Sequence, residues 1–302
     1  MPSAPSPARL RSAVANGLAY LRSKQSDNGG FCFFKFRYLD RPNLRDSYHA
    51  AAALRLWGCD IPRRDALIRF LREEKRDDVD GLFYFKSALQ VLGVDSSDAM
   101  DLTRIDGLVI PALNLSACLE TDRWLERAYR TVELQRRSWR VENDETLNRA
   151  IQTLEHQGGY GERPNLRETR LSLKIMDLLG RPPNDPEATR RFVDGLQHAA
   201  IGFTDMPASL YGSLEIIGAG IECCALLHLP IRYRTEALTF VLACQGADGS
   251  FARVPVALPD IVYTHEALQI IAWLAPDLVL PTCDGPHTAS GDPGAPHDAR
   301  QN

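Results

Sequence analysis

The sequence predicts an all-α protein that folds as an (α/α)6 toroid, a barrel of six helical hairpins. Three observations lead to this prediction: a Gly-aromatic turn that recurs along the chain, an amphipathic helical pattern before each copy, and a more apolar helical pattern after it. No segment of any length has the two-residue alternation of a strand. The 302 residues, 44% hydrophobic and 25% charged, suit a globular protein with a large core.

The recurring turns begin at residues 25, 77, 154, 197 and 245. Gln25–Phe31 and Gln245–Phe251 share the pattern Gln-x-x-x-Gly-x-Phe, and 77–83 keeps all of it except the glutamine. Gln197–Phe203 keeps both ends, while 154–160 keeps the glycine and the aromatic residue. The long step between the second and third turns predicts a degenerate sixth unit within 97–139, with helical patterns over 108–119 and 123–136.

Each turn lies between an outer and an inner helix. Apolar periodicity predicts outer helices over 10–24, 63–75, 145–156, 186–198 and 235–244. The inner helices, richer in small residues, are predicted over 47–57, 84–92, 169–179, 211–227 and 264–274. An open solenoid would need polar capping repeats, whereas the first and last units here are regular and apolar, so we expect a closed ring. It should form one domain over 1–280, followed by a disordered, proline- and glycine-rich tail over 281–302.

A second signature opens the inner helices. Pro-Asn-Leu-Arg-Asp-Ser at 42–47 recurs as Pro-Asn-Leu-Arg-Glu-Thr at 164–169 and more loosely at 259–264. Proline followed by polar residues is typical of a helix start. Asp46 and Glu168 are therefore interpreted either as helix-start residues or as functional carboxylates.

Charge and hydropathy exclude some partners. The net charge is -4 and no long basic run occurs, so nucleic acid is not expected as a partner. No apolar run reaches the roughly 20 residues of a membrane span. We therefore expect a cytoplasmic protein without a transmembrane segment, while a protein partner stays open.

The turns, together with Pro42–Leu54 and the run Thr-His-Glu-Ala-Leu at 264–268, resemble the repeat of prenyltransferases and squalene cyclases. That repeat builds the toroids of protein prenyltransferase β subunits and of class II terpene cyclases, in which the inner helices line a central cavity. The resemblance implies that His49 and His265 lie about one turn deep in the cavity. It also implies one rim that carries Asp46, Asp80, Glu168, Asp205 and Asp260.

Aromatic residues near the cavity would suit an isoprenoid chain, because π faces stabilise carbocations and apolar walls exclude water. Core packing would explain any one of them equally well. The expected ligand-binding aromatic residues are Phe31, Phe34, Tyr48, Phe83, Tyr160, Tyr211 and Tyr263, with His265 beside them.

The sequence also departs from both families. Class II cyclases donate a proton from the middle acid of Asp-x-Asp-Asp, and Arg45 and Arg167 stand at that place in the two Asn-Leu-Arg starts. Protein prenyltransferases bind zinc through Asp, Cys and His, and Leu82 stands where the cysteine is needed. Zinc is therefore not expected, and His49 is interpreted first as a structural residue, while a weaker metal site of Asp46, His49 and Asp80 stays open. Mg²⁺ is considered only together with a diphosphate substrate.

Three functions stay open. The first is a terpene cyclase-like enzyme that acts on a prenyl diphosphate or related polyene, in which Arg45 and Arg167 bind the diphosphate. The second is a non-catalytic toroid that binds a lipid-like ligand or a partner protein, and the third a metal-dependent prenyltransferase β-like subunit. For the enzyme, the candidate proton-transfer residues are Asp46, His49, Asp80, Glu168 and Asp260.

Overall fold

A computed structural model describes residues 4–33, 35–36, 39–95, 105, 108–110, 113, 120–136 and 141–280. Helices make up most of the described chain. The outer helices are α1 Pro7–Ser23, α3 Arg64–Glu73, α6 Val141–Gln152, α8 Pro186–Gly195 and α10 Arg234–Ala243. The inner helices are α2 Leu44–Leu56, α4 Val79–Val91, α5 Glu120–Gln135, α7 Leu166–Leu178, α9 Leu214–Leu226 and α11 Ile261–Leu274.

The six inner helices form a closed ring. Each packs against the next one in chain order, and α11, the last, packs against α2, the first. The predicted (α/α)6 arrangement is therefore confirmed. No helix in the described part of the chain is long and apolar enough to cross a membrane.

The Gly-aromatic turns hold the hairpins together. Gly29 and Gly249 have positive φ angles of 92° and 86°. A Cβ atom on Gly249 would also lie 2.5 Å from the carbonyl oxygen of Asn16 on α1, so both the backbone conformation and the close approach require glycine. The aromatic residue that follows is buried, and its backbone N–H donates to a hydroxyl of the inner helix, as Phe251 does to Thr264 Oγ1 at 3.0 Å.

The glutamine of the turn connects one hairpin to the next. Gln25 Nε2 donates to the carbonyl of Gly29 at 2.9 Å and to that of Pro62, just before α3, at 2.6 Å. Gln197 Nε2 donates in the same way to the carbonyl of Pro230 at 3.0 Å. The recurring glutamine is therefore a structural connector between repeats.

In the described residues, four very short antiparallel ribbons extend the turns, which the sequence did not predict. The pairs are β1 Lys35–Phe36 with β2 Leu39–Asp40, β3 Glu155–His156 with β4 Gly159–Tyr160, β5 Gln197–His198 with β6 Gly202–Phe203, and β7 Phe251–Ala252 with β8 Pro259–Asp260. Two residues per strand are too few to leave an alternating pattern.

The second predicted turn, at 77–83, is wrong. Helix α4 begins at Val79, and Asp78 is its N-cap, with Oδ1 accepting from the Gly81 N–H at 2.7 Å. The glycine therefore lies in the first helical turn.

The 97–139 segment is only partly described. Helix α5 confirms the helical pattern over 123–136, whereas residues 108–110 and 113 are not helical. The rest of the pattern over 108–119 and the predicted tail over 281–302 lie outside the described residues.

Candidate functional site

A cavity of about 330 Å³ lies inside the ring and is lined by residues of all six inner helices. On the inner helices, the residues that line the cavity lie at a common set of positions, counted from the residue that caps each helix. On α7, with its N-cap at Asn165, they are Arg167, Arg170, Leu171 and Lys174. These are the second, fifth, sixth and ninth residues after the cap, which form one face of a helix.

The other helices repeat this register. On α2, with its N-cap at Asn43, the lining residues are Arg45, Tyr48 and His49. On α11, with its N-cap at Asp260, they are Val262, His265, Glu266 and Gln269. The N-termini of the inner helices therefore meet at one end of the cavity, and the ninth position lies about 10 Å deeper than the second.

The cavity wall is rich in acidic and basic side chains. The sequence predicted an apolar, aromatic wall below a polar rim, and the structure differs because charged residues occupy the deeper turns as well. The cations are Arg45, Arg130, Arg167, Arg170 and Lys174. The carboxyl groups are those of Asp122, Glu126, Glu215, Glu222 and Glu266.

Of the carboxyl groups that line the cavity, Glu266 has the pKa that departs most from its ordinary value. Burial, with a smaller contribution from the negative charges of Glu215 and Glu222, raises the pKa of Glu266 to about 8. Arg170 opposes the shift. Glu266 is therefore a neutral carboxylic acid at pH 7 that still reaches the cavity. A neutral carboxyl group can donate a proton, which is the property of a general acid.

The neighbouring carboxylates are held by cations. Glu222 Oε2 lies 3.4 Å from Lys174 Nζ and 3.5 Å from Arg170 Nη1. Glu215 Oε2 lies 2.7 Å from Arg253 Nε, and its Oε1 accepts from the Tyr263 hydroxyl at 3.4 Å. This side of the cavity thus combines a neutral acid with ion-paired carboxylates, an arrangement that divides acid and base roles between similar groups.

Two histidines also meet in the cavity. His49 Nδ1 and His265 Nδ1 are 2.9 Å apart, and both rings line the cavity. Burial lowers the pKa of both imidazoles, that of His265 to about 4, and the positive charges of His265, Arg45 and Arg130 lower that of His49 further. Both rings are therefore neutral at pH 7, and one donates from Nδ1 while the other accepts.

Arg130 contacts three other side chains: two carboxylates and a tyrosine hydroxyl. Its guanidinium nitrogens lie 2.6 Å from Asp80 Oδ1 and 3.2 Å from Glu126 Oε2, and Nη2 donates to the Tyr84 hydroxyl at 3.3 Å. The guanidinium carbon lies 5.3 Å from the centre of the Tyr84 ring, so a cation–π contact adds to the ion pairs. Arg130 belongs to α5, to which the sequence assigned no site residue.

Some residues predicted for the site do line the cavity. They are Arg45, Tyr48, His49, Phe83, Arg167 and His265.

None of the five predicted rim acids, Asp46, Asp80, Glu168, Asp205 and Asp260, lines the cavity, which corrects the placement that the resemblance implied. Asp205 Oδ2 lies 3.5 Å from Arg167 Nε instead. Asp46 Oδ2 accepts from the Phe33 N–H and from Asn43 Nδ2, both at 2.9 Å, and so is a structural group. Asp260 Oδ1 caps α11 by accepting from the Val262 N–H at 2.5 Å. Asp80 pairs with Arg130 outside the lining.

Glu168 is also turned away from the cavity. It is 8% exposed and its carboxyl group packs against Gly161, where a Cβ atom would overlap it. Burial and the charge of Asp122 raise its pKa to about 7. The helix start is capped instead by Asn165, whose Oδ1 accepts from the Glu168 N–H at 2.9 Å.

Several aromatic residues that were predicted to bind a ligand lie outside the cavity lining. Phe31 and Tyr160 are fully buried behind the inner helices as part of the core. Tyr211 is 50% exposed in the loop before α9, and Tyr263 contacts Glu215 without lining the cavity. Phe34 lies outside the described residues. Among the predicted aromatic residues that the structure describes, only Tyr48 and Phe83 line the cavity.

The sequence interpretation missed Glu266, Glu222, Arg170 and Lys174. A signal was present: counting two, five, six and nine residues from each inner-helix cap finds all four. For metal binding, the described residues contain no group of three or more His, Cys, Asp or Glu side chains suited to an ion.

No family model matches the sequence, and a search of curated proteins finds no match. Solved structures do match. A type II terpene cyclase from Scytonema, in its apo form, has a TM-score of 0.57 and 13% identity, over 91% of this chain and 100% of that one. The Candida albicans protein geranylgeranyltransferase-I complexed with GGPP has a TM-score of 0.57 and 12% identity, over 76% of this chain and 83% of that one.

A glycosidase in complex with glucose matches with a TM-score of 0.54 and 14% identity, over 90% of this chain and 98% of that one. The chain therefore has the toroid fold of terpene cyclases and protein prenyltransferases, and the resemblance read from its motifs is confirmed for the fold. Because a glycosidase shares this fold, the chemistry must be argued from the site.

Proposed function

We propose that the protein is an acid–base enzyme that cleaves the C–O bond of a prenyl diphosphate in the toroid cavity, with Glu266 as the general acid. The observation that carries the proposal is a neutral carboxyl group in a cavity that also holds cations and aromatic faces. In the reaction, the C–O electron pair stays with the departing diphosphate oxygen, and the proton of Glu266 moves to that oxygen. An ion-paired carboxylate, Glu222 or Glu215, then takes a proton from the carbocation to give an alkene.

The acidity of Glu266 decides between two kinds of chemistry. A group with a pKa of about 8 suits proton donation to a leaving oxygen at neutral pH. Protonation of an unactivated alkene, the first step of a class II cyclase, needs a stronger acid than this. We therefore propose the isoprenoid substrate that the resemblance implies, but with protonation of the departing oxygen in place of protonation of an alkene.

The space around Glu266 supports this role. A Cβ atom on Gly218 of α9 would lie 2.9 Å from Glu266 Oε1, so the missing side chain leaves room for the carboxyl group. The corresponding positions of the neighbouring helices carry large side chains, Arg170 on α7 and His265 on α11. A larger residue at position 218 would therefore displace the Glu266 carboxyl group.

Aromatic faces in the cavity would stabilise the carbocation. Tyr48 and Tyr84 have ring centres 5.8 Å apart, Phe83 and Tyr84 5.6 Å, and Phe83 and Tyr129 6.1 Å. All four residues line the cavity. Such rings attract a cation by roughly 0.5–2 kcal/mol each. No cofactor is proposed, and Mg²⁺ would enter with the diphosphate.

Incubation of the purified protein with geranyl, farnesyl and geranylgeranyl diphosphates, with and without Mg²⁺, tests the proposal. Diphosphate release and the hydrocarbon or alcohol products would be measured. Glu266→Gln should lower kcat by roughly 10²–10⁴-fold, the usual contribution of a general acid. The matched control is Glu73→Gln at the exposed end of outer helix α3. The proposal would be contradicted if none of the three substrates released diphosphate, or if Glu266→Gln kept full activity.

Glycoside hydrolysis is a second candidate. The observation that favours it is the polar wall with one neutral carboxyl group and ion-paired carboxylates, because glycosidases use a protonated and an ionised carboxyl group on either side of the bond. Release of reducing sugar from a panel of aryl glycosides, lost in Glu266→Gln, would select it. Binding of an isoprenoid without turnover of any substrate would instead favour the non-catalytic toroid.

A further inference from the structure

We infer that His49, His265 and Arg45 form an anion-binding subsite that takes up a proton when a phosphate or diphosphate group binds. The inference rests on the proposed function, because the anion would be the head group of its substrate. It adds a binding site and a coupling to pH that the acid–base step does not require.

The geometry of the histidine pair limits the number of protons it can hold. The two Nδ1 atoms are 2.9 Å apart, so only one proton fits between them. Two fully protonated rings would point two N–H donors at each other. In the free protein both rings are neutral, as their lowered pKa values indicate, and the first available change is the gain of one proton.

Arg45 supplies a free positive charge beside this pair. It lies one helical turn from His49 on α2 and lines the cavity mouth. The other cations of the lining are in ion pairs: Arg130 with Asp80, Arg167 with Asp122, and Arg170 and Lys174 with Glu222. Among the described residues Arg45 has no such partner, so its charge is available to an incoming anion.

The groups around the pair favour an anion over a cation. Helix α4 contributes Tyr84, whose ring centre lies 5.8 Å from that of His49, and α5 contributes Arg130. The carboxyl groups that line the cavity nearby, Glu215 and Glu222 from α9 and Glu266 from α11, act on one another and on Arg170. The charged side chains that perturb His49 are His265, Arg45 and Arg130, all of them cationic when charged. A bound anion would offset this positive environment.

The same anion would therefore raise the pKa of the pair. Burial and neighbouring cations now keep the imidazoles neutral, and a negative charge within about 4–6 Å favours the protonated form. Binding and protonation are then linked. Between the pKa of the free pair and that of the bound pair, the affinity for the anion should fall about tenfold for each unit of rising pH.

Isothermal titration calorimetry of the full chain tests this linkage. Sulfate is the first probe, because it stays a dianion at neutral and mildly acid pH, so any proton taken up binds the protein; inorganic diphosphate is the second. Titrations at one pH in buffers of different ionisation enthalpy give the number of protons. We expect the uptake of about one proton per anion and an affinity about tenfold lower in Arg45→Gln.

The double variant His49→Asn/His265→Asn should bind the anion without proton uptake. If that variant fails to fold, the affinity of Glu266→Gln for sulfate between pH 5.5 and 8 decides the question, because position 266 then cannot contribute to the pH dependence. A flat pH profile, no binding of either anion, or unchanged proton uptake in a folded double variant would overturn the inference. Glu266→Gln separates the two proposals, because it removes the proposed general acid and should leave proton-linked anion binding intact.

Discussion

The side-chain amide of Gln245 donates a hydrogen bond of 2.9 Å to the backbone carbonyl of Ala13, 232 residues away in the chain. The same Nε2 atom donates to the carbonyl of Gly249 at 3.1 Å within its own turn. Gln245 follows the last outer helix and Ala13 lies in the first one. This bond closes the outer layer of the toroid, as the packing of α11 on α2 closes the inner layer.

Gln245→Ala should lower the free energy of unfolding by about 1–3 kcal/mol, because it removes two hydrogen bonds, to the carbonyls of Ala13 and Gly249. Urea denaturation followed by circular dichroism would measure the change. Gln152→Ala is the control, since its amide donates only to the side chain of Asn184 near the surface, and it should change stability by less than about 0.5 kcal/mol. Equal effects of the two variants would show that the bond does not stabilise the ring.

Glu266→Gln should change how stability depends on pH. The pKa of Glu266 is raised from about 4.3 in the unfolded chain to about 8 in the folded protein. Folding therefore favours the protonated form, and stability falls as pH rises from the lower value through the higher one. The variant stays neutral, so it should match the wild type near pH 4 and exceed it at pH 8, by up to about 5 kcal/mol. Parallel pH–stability curves for the two proteins would contradict the raised pKa.

Gly220→Ala should destabilise the packing of α9 against its turn. A Cβ atom at this position would overlap the ring of Phe203, which is fully buried. Overpacking of this kind costs typically 1–3 kcal/mol. The matched change is Gly195→Ala at the end of α8, where an added Cβ meets no atom within 4 Å. It should stabilise the protein by up to about 1 kcal/mol, because alanine favours a helix over glycine. Thermal unfolding measures both variants: the melting temperature should fall in Gly220→Ala and rise in Gly195→Ala.

Asp46→Ala should damage stability rather than chemistry. The carboxylate accepts hydrogen bonds from the Phe33 N–H and the Asn43 amide, and the substitution removes both. We expect a loss of about 1–3 kcal/mol. Activity per folded molecule, measured on the prenyl diphosphate that the wild type cleaves best, should be unchanged. A loss of activity in a variant of normal stability would return Asp46 to the list of catalytic candidates.

Much of the fold could be predicted from sequence because its signals are local. The positive-φ glycines and the buried aromatic residues after them are specified within seven residues, as in Gln245–Phe251. The false turn at 77–83 arose because Asp78 and Gly81 also fit a helix start, and only the packing of α4 distinguishes the two. Local sequence cannot decide between a capped helix and a glycine turn when both use Asp and Gly.

The site was predicted less well, for a geometric reason. Helix residues turn by about 100° each, so side chains one position apart face different neighbours. Arg45 and Arg167, two residues after their caps, line the cavity, whereas Asp46 and Glu168, one residue further, face the turn behind it. The sequence interpretation took the acids at the helix starts for the cavity rim. Glu266 was missed because its pKa depends on burial and on charges from another helix.

The shared orientation of the inner helices gives the rim acids a different meaning. Each helix N-terminus carries roughly half a positive charge from its aligned peptide dipoles, and here these ends meet at one mouth. Asp46, Asp80, Glu168 and Asp260 lie at or just before the first turns of their helices, where carboxylates offset only part of that field. The raised pKa of Glu168 makes its share incomplete at neutral pH. The partial positive charge of the helix N-termini comes from peptide groups, which do not ionise, so it does not change with pH. An anion that approaches the cavity is therefore attracted by the peptide groups themselves at every pH at which the ring is folded.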